Sequence, residues 1–228
     1  MIIFFRSFLF DCFYYLWTVI LAVLGLPLLL FPRKGVVCLS RLWNHGNLWL
    51  MRHVLGLTYK VNGTLPKAPF ILASKHESSF ETLLFSVLLK DPAFILKHSL
   101  LHIPLVGWYL RKVAMISVKK KKGRLSSTQM LEAAEKALKM GRPLVIFPEG
   151  TRTPPGAFVA LKPGVWHFYK SLKVPVVTAA LNSGAFWPRH ALVKKPGVVS
   201  LTFKAVDVLP EDDKNSFLAK VKRGLHAH

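Results

Sequence analysis

At 228 residues the chain can bury one sizeable core and carry an appendage, and 32 Lys and Arg against 11 Asp and Glu give it a formal charge of +21. That field favours anionic partners, while an apolar content of 52% and a positive mean hydropathy point away from nucleic acid and towards a lipid surface. The two cysteines, Cys12 and Cys38, form no C-x-x-C or Cys/His ligand pattern, which argues against a disulfide framework and leaves them as small apolar filler in or near a membrane segment.

From Cys12 to Phe31 run twenty uncharged residues, CFYYLWTVILAVLGLPLLLF. That is about the length needed to cross a ~30 Å hydrocarbon layer as a helix. The leading segment offers only Arg6 against Asp11 and no A-x-A-like site follows, so the segment is expected to stay on and reside in a membrane. Arg33, Lys34 and Arg41 flank it on the C-terminal side, which predicts that side to be cytoplasmic if the helix spans. Pro27 inside the run would kink it, and an in-plane or re-entrant arrangement is open. Residues 40–55, SRLWNHGNLWLMRHVL, suit either the headgroup boundary or an ordinary core-packing helix. Residues 1–55 are thus read as an N-terminal membrane-associated helical region, and 56–228 as one further domain.

Beyond residue 56, short apolar runs alternate with longer mixed segments, the pattern of an α/β fold. Strands are expected at 58–62, 70–75, 93–97, 113–118, 143–147, 174–181 and 198–206, with the clearest helices at 79–90 and 125–140. The second helix opens on a capping box, Ser126 to Gln129, and closes at Gly141. Its core stripe is Met130, Leu131, Ala134, Ala137 and Leu138.

At the end of the 70–75 run stands Ser74-Lys75-His76-Glu77-Ser78-Ser79-Phe80-Glu81. Imidazole takes a proton near neutral pH, and a nearby carboxylate can fix its tautomer. The five-residue offset turns through about 500° on a regular helix, so His76 and Glu81 meet only if His76 ends the strand and Glu81 lies in the first turn of the helix. Ser78-Ser79-Phe80-Glu81 supports that break as an S-x-x-E capping box with Ser78 as N-cap, and it equally allows Glu81 to be only a cap. Downstream, the strand-like Leu144-Val145-Ile146 empties into Phe147-Pro148-Glu149-Gly150-Thr151-Arg152. Arginine offers planar multi-donor pairing and glycine close backbone approach, so this loop suits a phosphate.

Together these blocks closely resemble the glycerolipid acyltransferase family, and within it the bacterial 1-acylglycerol-3-phosphate acyltransferases, whose first motif is His-x4-Asp and third is E-G-T-R. Lys97-His98-Ser99-Leu100 with Ile103 to Gly107 and Met115 to Lys120 resembles the second block, and Val174 to Val177 leading to Leu181-Asn182-Ser183-Gly184 the fourth. The resemblance covers about residues 60–207. The chain departs from the family pattern in four places: Glu81 for the usual Asp, Ser99 for Glu, Lys119-Lys120 for Asp-Arg, and Thr178 for a proline.

The resemblance implies a mixed central sheet flanked by helices, and transfer of a fatty acyl group from an acyl-CoA or acyl carrier protein thioester to the hydroxyl of lysophosphatidate, with no cofactor. His76 would be the general base and Glu81 its orienting partner. Arg152, Gly150 and Thr151 would bind the acceptor phosphate, with Lys120 as second cation, and Glu149 would either bind the glycerol hydroxyl or hold Arg152. Amides at the start of the 79–90 helix are the candidate oxyanion donors. By the same resemblance the protein would belong to the bacterial inner membrane, with its catalytic domain cytoplasmic. The Lys119 to Lys122 run reads as lysines facing anionic lipid, since no nucleic-acid motif accompanies it. His98 and His102 have i,i+4 spacing but lack the glutamate of H-E-x-x-H, so no metal is expected there. Other lysolipids or glycerol 3-phosphate as acceptor, and a basic lipid-binding protein without catalysis, are the competing readings.

Overall fold

The computed structural model describes residues 1–118, 120–121, 124–125 and 127–227, with side chains at 1–118 and 128–227. A seven-stranded sheet forms the centre, built from β1 (Leu57–Asn62), β2 (Ile71–Ser74), β3 (Ala93–Lys97), β4 (Ile116–Val118), β7 (Leu144–Ile146), β8 (Val176–Leu181) and β9 (Gly197–Ala205). A two-residue pair, β5 (Lys120–Lys121) and β6 (Arg124–Leu125), stands apart from it. The strand order is β1-β9-β8-β2-β7-β3-β4, parallel throughout except where β8 meets β9. The sheet is therefore mixed, as expected, and every run proposed as a strand contributes to it. The 113–118 run gives only its second half, because Val113 and Ala114 end the preceding helix α4 (Val106–Lys112).

Side-chain alternation along the strands divides the core between two faces. Leu72 and Val145 point to a layer shared with α3 (Phe80–Leu88) and the N-terminal helices, where Phe10, Met51, Leu55, Leu84 and Phe85 are buried. Ile71, Ala73 and Ile146 point to the opposite layer, with Ala134 and Leu138 of α5 (Ser127–Lys139), Phe168 of α6 (Gly164–Leu172), and Phe217 and Val221 of α7 (Lys214–Leu225). The stripe predicted for α5 faces this core, and Gly141 closes it with φ +72°. The proposed N-cap of that helix, Ser126, lies outside the described residues.

The N-terminal region differs from a lone spanning helix over Cys12–Phe31. Helix α1 covers Ile2–Leu24, and a 3-10 turn at Leu26–Leu29 places Pro27 at a corner. Helix α2 (Arg33–Leu50) then returns as the second arm of a hairpin and ends in a π-helical turn, Met51–Leu55. Arg6 and Asp11 do not end α1, because both find partners in the fold: Arg6 Nε donates to the Val54 carbonyl at the end of the helical hairpin, and Asp11 pairs with Lys194 of the domain at 2.7 Å. By length and hydropathy α1 could cross a membrane, yet Ser7, Phe10 and Leu21 are buried against the protein along one side. Phe4, Phe8, Leu16 and Val19 are exposed on the other. Residues 40–55 bury Asn47, Met51 and Leu55, as a core-packing helix does, and expose Leu42 and Trp49. Cys12 and Cys38 are free and exposed on the helical hairpin.

Strands β8, β2 and β7 run parallel side by side and end on one edge of the sheet. Crevices outside the carboxyl ends of such strands are where α/β folds gather binding groups.

Candidate active site

The loop leaving β2 is fixed before it reaches its histidine. The Lys75 amide continues the pairing with β8 through the Ala179 carbonyl at 3.1 Å. The Lys75 side chain forms an ion pair with Glu77 at 2.7 Å, each side chain only 1% exposed. Glu77 Oε2 also accepts the Gly184 N–H at 3.0 Å, tying this loop to the one after β8. That contact needs glycine: a Cβ at position 184 would lie 2.8 Å from Glu77 Cβ and 2.9 Å from Pro155 Cγ.

His76 sits between these anchors and is held by its backbone. Its N–H donates to Glu149 Oε2 at 2.9 Å, and its carbonyl accepts the Thr153 N–H at 2.8 Å. The imidazole stacks on Phe147, with ring centres 4.1 Å apart and planes 22° from parallel. Nδ1 is buried, without a hydrogen-bond partner among the described residues. Burial, followed by the charges of Arg152, Arg189 and Lys97, pushes the imidazole down to about 3, so it is neutral at ordinary pH.

Glu81 is fully buried, and its bonds are those of a cap. Oε1 accepts the N–H groups of Glu77 at 2.8 Å and Ser78 at 2.9 Å and the Ser183 hydroxyl at 2.7 Å, while Oε2 takes a second, longer contact from the Ser78 amide at 3.1 Å. No hydrogen bond joins it to His76. The bonds of the expected box are made, with Glu81 accepting the Ser78 N–H and the Ser78 hydroxyl accepting the Phe80 N–H at 3.1 Å, while the regular helix α3 starts at Phe80, after a helical Ser79 that makes no side-chain cap bond. The amides of Glu77, Ser78 and Phe80 are thereby occupied, which takes Phe80 out of the amides at the helix start that could serve as oxyanion donors. Burial pushes the Glu81 carboxyl up to about 7 against the pull of its donors. Burial likewise raises Glu149, opposed by the His76 amide.

The Glu149 to Arg152 loop lies beside His76, as the sequence pattern anticipates. Gly150 adopts φ +70°, and a Cβ there would collide with the Lys162 ammonium, which lies over it. Arg152 is half-buried, and the exposed Thr151 accepts Arg189 Nη1 at 3.2 Å. Glu149 is committed to the His76 amide, a third role beside the two anticipated for it. Lys120 belongs to β5, but its side chain lies outside the described residues, as do Lys119 and Lys122. His98 and His102 stack edge to face at 5.0 Å, with His98 Nδ1 3.2 Å from the Ser117 hydroxyl. No group of three metal-ligating side chains occurs among the described residues.

Lys97, Lys162, Ser183 and Arg189 join the site without having been selected as site residues. Ser183 stood inside the fourth block and Lys97 opened the second, so their motifs carried a signal. Lys162 and Arg189 lie in segments with no motif, and only the fold brings them to His76 and Gly150.

Comparison with known proteins places the chain as a whole. The chain aligns with the 1-acyl-sn-glycerol-3-phosphate acyltransferase of Pseudomonas aeruginosa at 32% identity over 161 residues, covering 70% of this chain and 63% of that protein. The Saccharomyces cerevisiae protein of the same name matches at 25% over 182 residues, 76% and 60% of the two chains. The chain thus spans about three-fifths of the length of these curated relatives. The crystal structure of the 1-acyl-sn-glycerophosphate (LPA) acyltransferase PlsC from Thermotoga maritima superposes with a TM-score of 0.73 over 97% of this chain and 95% of that one, at 23% identity, which establishes a shared fold. The profile of the Acyltransferase family matches residues 57–182, more than half of the chain and the span that carries both the His76 and the Gly150 loops; the chain belongs to that family.

Proposed function

We propose that the protein transfers a fatty acyl group from an acyl thioester to the free hydroxyl of 1-acylglycerol 3-phosphate, giving phosphatidic acid. The observation that carries this reading is the neutral His76 imidazole held at the strand edge among Arg152, Arg189 and Lys97. The names of the Pseudomonas and yeast relatives support the acceptor. The donor is acyl-CoA or acyl carrier protein as co-substrate, with no resident cofactor.

In this reading the acceptor phosphate docks at Arg152 beside Thr151 and Gly150, with Lys120 as a further cation. Burial is the main cause of the depressed imidazole and the surrounding cations add to it; an incoming dianion offsets the cations' share, so the basicity rises when substrate is present. His76 then takes the proton from the acceptor hydroxyl as the oxygen attacks the thioester carbonyl. The tetrahedral intermediate collapses by breaking the C–S bond, and the imidazolium returns the proton to the leaving thiolate. The attacking hydroxyl belongs to the substrate, so no acyl-enzyme is formed. Glu81 acts through the Glu77 and Ser78 amides and Ser183, holding the loop that presents His76, and Glu149 holds the same loop from the other side.

The α1–α2 hairpin offers a way to meet a lipid acceptor. With Ser7, Asp11 and Lys194 packed between α1 and the domain, a helix crossing the bilayer would drag those groups into hydrocarbon. An in-plane seat, with Phe4, Phe8, Leu16 and Trp49 in the lipid, leaves them in protein. The seat is the cytoplasmic leaflet of a bacterial inner membrane, whose anionic lipids attract a chain of charge +21.

Thiol release from acyl-CoA in mixed micelles, with lysophosphatidate, lysophosphatidylcholine and glycerol 3-phosphate as alternative acceptors, tests the reading. Lysophosphatidate is expected to give the highest rate, and His76→Ala is expected to lower it about 10²–10⁴-fold with the unfolding midpoint unchanged. Full activity in that variant, or no release by the wild-type protein with any acceptor, would sink the proposal.

A further inference from the structure

The loop between β8 and β9 brings Arg189 over the Gly150 loop, where its Nη1 donates to the Thr151 hydroxyl at 3.2 Å and its Nε to His190 Nε2 at 2.9 Å. Among the described residues no carboxylate pairs with it. A guanidinium has five N–H donors in a fixed fork, and these contacts leave most of them facing outward. The neighbouring Arg152 is equally without a carboxylate, and the charges of both act on His76. We propose that Arg189 is a specificity-determining residue that grips the phosphomonoester of the acyl acceptor together with Arg152, across the Thr151 hydroxyl.

Three further features support this assignment. A phosphomonoester dianion has three terminal oxygens, so one arginine fork leaves acceptor capacity that a second fork can fill. The Arg189 loop is anchored at both ends: the Trp187 amide bonds the Ser183 carbonyl at 2.8 Å, and the Lys195 amide the Phe186 carbonyl at 2.8 Å. Lys194 in the same loop is buried, pairs with Asp11 of α1, and lies over the rings of Phe10 and Trp187. Arg189 is thus an exposed side chain on a fixed support. The Thr151 contact places it on the acceptor side of the site, since Thr151 belongs to the loop assigned to the acceptor phosphate. The pyrophosphate of an acyl-CoA donor presents similar chemistry, and the test must separate the two.

The inference rests on lysophosphatidate being an acceptor, so the wild-type enzyme is assayed first with lysophosphatidate and with the uncharged monoacylglycerol. Arg189→Gln is expected to raise the KM for lysophosphatidate about tenfold or more, with kcat within about twofold and the KM for acyl-CoA unchanged. Arg189→Lys should recover part of the loss, because it restores the charge without the fork. The variant should also narrow the preference for lysophosphatidate over monoacylglycerol. An unchanged acceptor KM would overturn the inference while leaving the functional reading intact, and so would a rise confined to acyl-CoA. Absence of wild-type transfer to lysophosphatidate would remove both.

Discussion

Two sets of cations divide the molecule. Lys75, Arg142 and Lys194 are buried, Arg33 is largely so, and each meets a carboxylate: Glu77, Asp91, Asp11 and Asp91 in turn. Lys97, Arg152, Lys162 and Arg189 surround the carboxyl ends of β2 and β7, and among the described residues none of them pairs with a carboxylate. With only 11 acidic residues in the chain, where they are placed shows what each cation is for. Paired cations join elements of the scaffold, as Arg33 and Arg142 gather the segment around Asp91. Unpaired ones leave a field at the mouth of the site for an anion to satisfy.

The comparison breaks most severely if a scaffold cation is removed. Arg142 is 2% exposed and donates to the carbonyls of Asp91, Pro92, Val113 and Ala114 at 3.0 to 3.3 Å. Burial brings its guanidinium down to about 10, still charged at neutral pH. Arg142→Ala strands those carbonyls and should cost about 3–5 kcal/mol in urea unfolding, with specific activity of the folded fraction retained. A loss below about 0.5 kcal/mol would place Arg142 with ordinary surface residues.

The site cations should show the reverse pattern. Arg152→Ala is expected to lower kcat/KM for lysophosphatidate about 100-fold, the size of one or two charge-assisted hydrogen bonds, while stability stays within about 0.5 kcal/mol. Raising the ionic strength should weaken acceptor binding to the wild type more than to the variant. Equal salt slopes would mean that Arg152 does not see the anion.

This division could not be read from the sequence, although much of the framework could. The strands were legible because buried parallel strands are continuous apolar runs, and Pro69, Pro143 and Pro175 stand at the starts of β2, β7 and β8. His76 and the Glu149 to Arg152 loop were legible because each follows such a run. Helix α7 was missed: its Phe217, Val221 and Leu225 stripe is interrupted by Lys220, Lys222 and Arg223, and its N-cap Asp213 follows another aspartate. The start of α1 was misplaced because Arg6 and Asp11 look like the end of an apolar helix until their partners, Val54 and Lys194, are known. Lys162 and Arg189 were invisible, since a lysine or arginine in a chain of charge +21 carries no local mark of what it faces.

The buried carboxylates sharpen the same contrast with a smaller effect. Glu77 has Lys75 for its charge, whereas Glu81 has only amide and hydroxyl donors, and burial pushes it up to about 7 from an ordinary 4.5. Between those values the folded protein holds the Glu81 proton more tightly than the unfolded chain, so this group's contribution to stability falls as pH rises from 4.5 through 7. His76 acts in the opposite sense. Its folded value of about 3 lies below the ordinary 6.5, so the unfolded chain binds the extra proton and stability rises with pH between them. The two trends partly cancel in the wild type, and Glu81→Gln removes the first alone. Measured by urea unfolding in detergent at pH 5 and pH 8, the stability of the wild type relative to Glu81→Gln should be greater at pH 5 by on the order of 1–2 kcal/mol. A difference independent of pH would mean that Glu81 ionises in the ordinary range and that its amide and Ser183 bonds outweigh its burial.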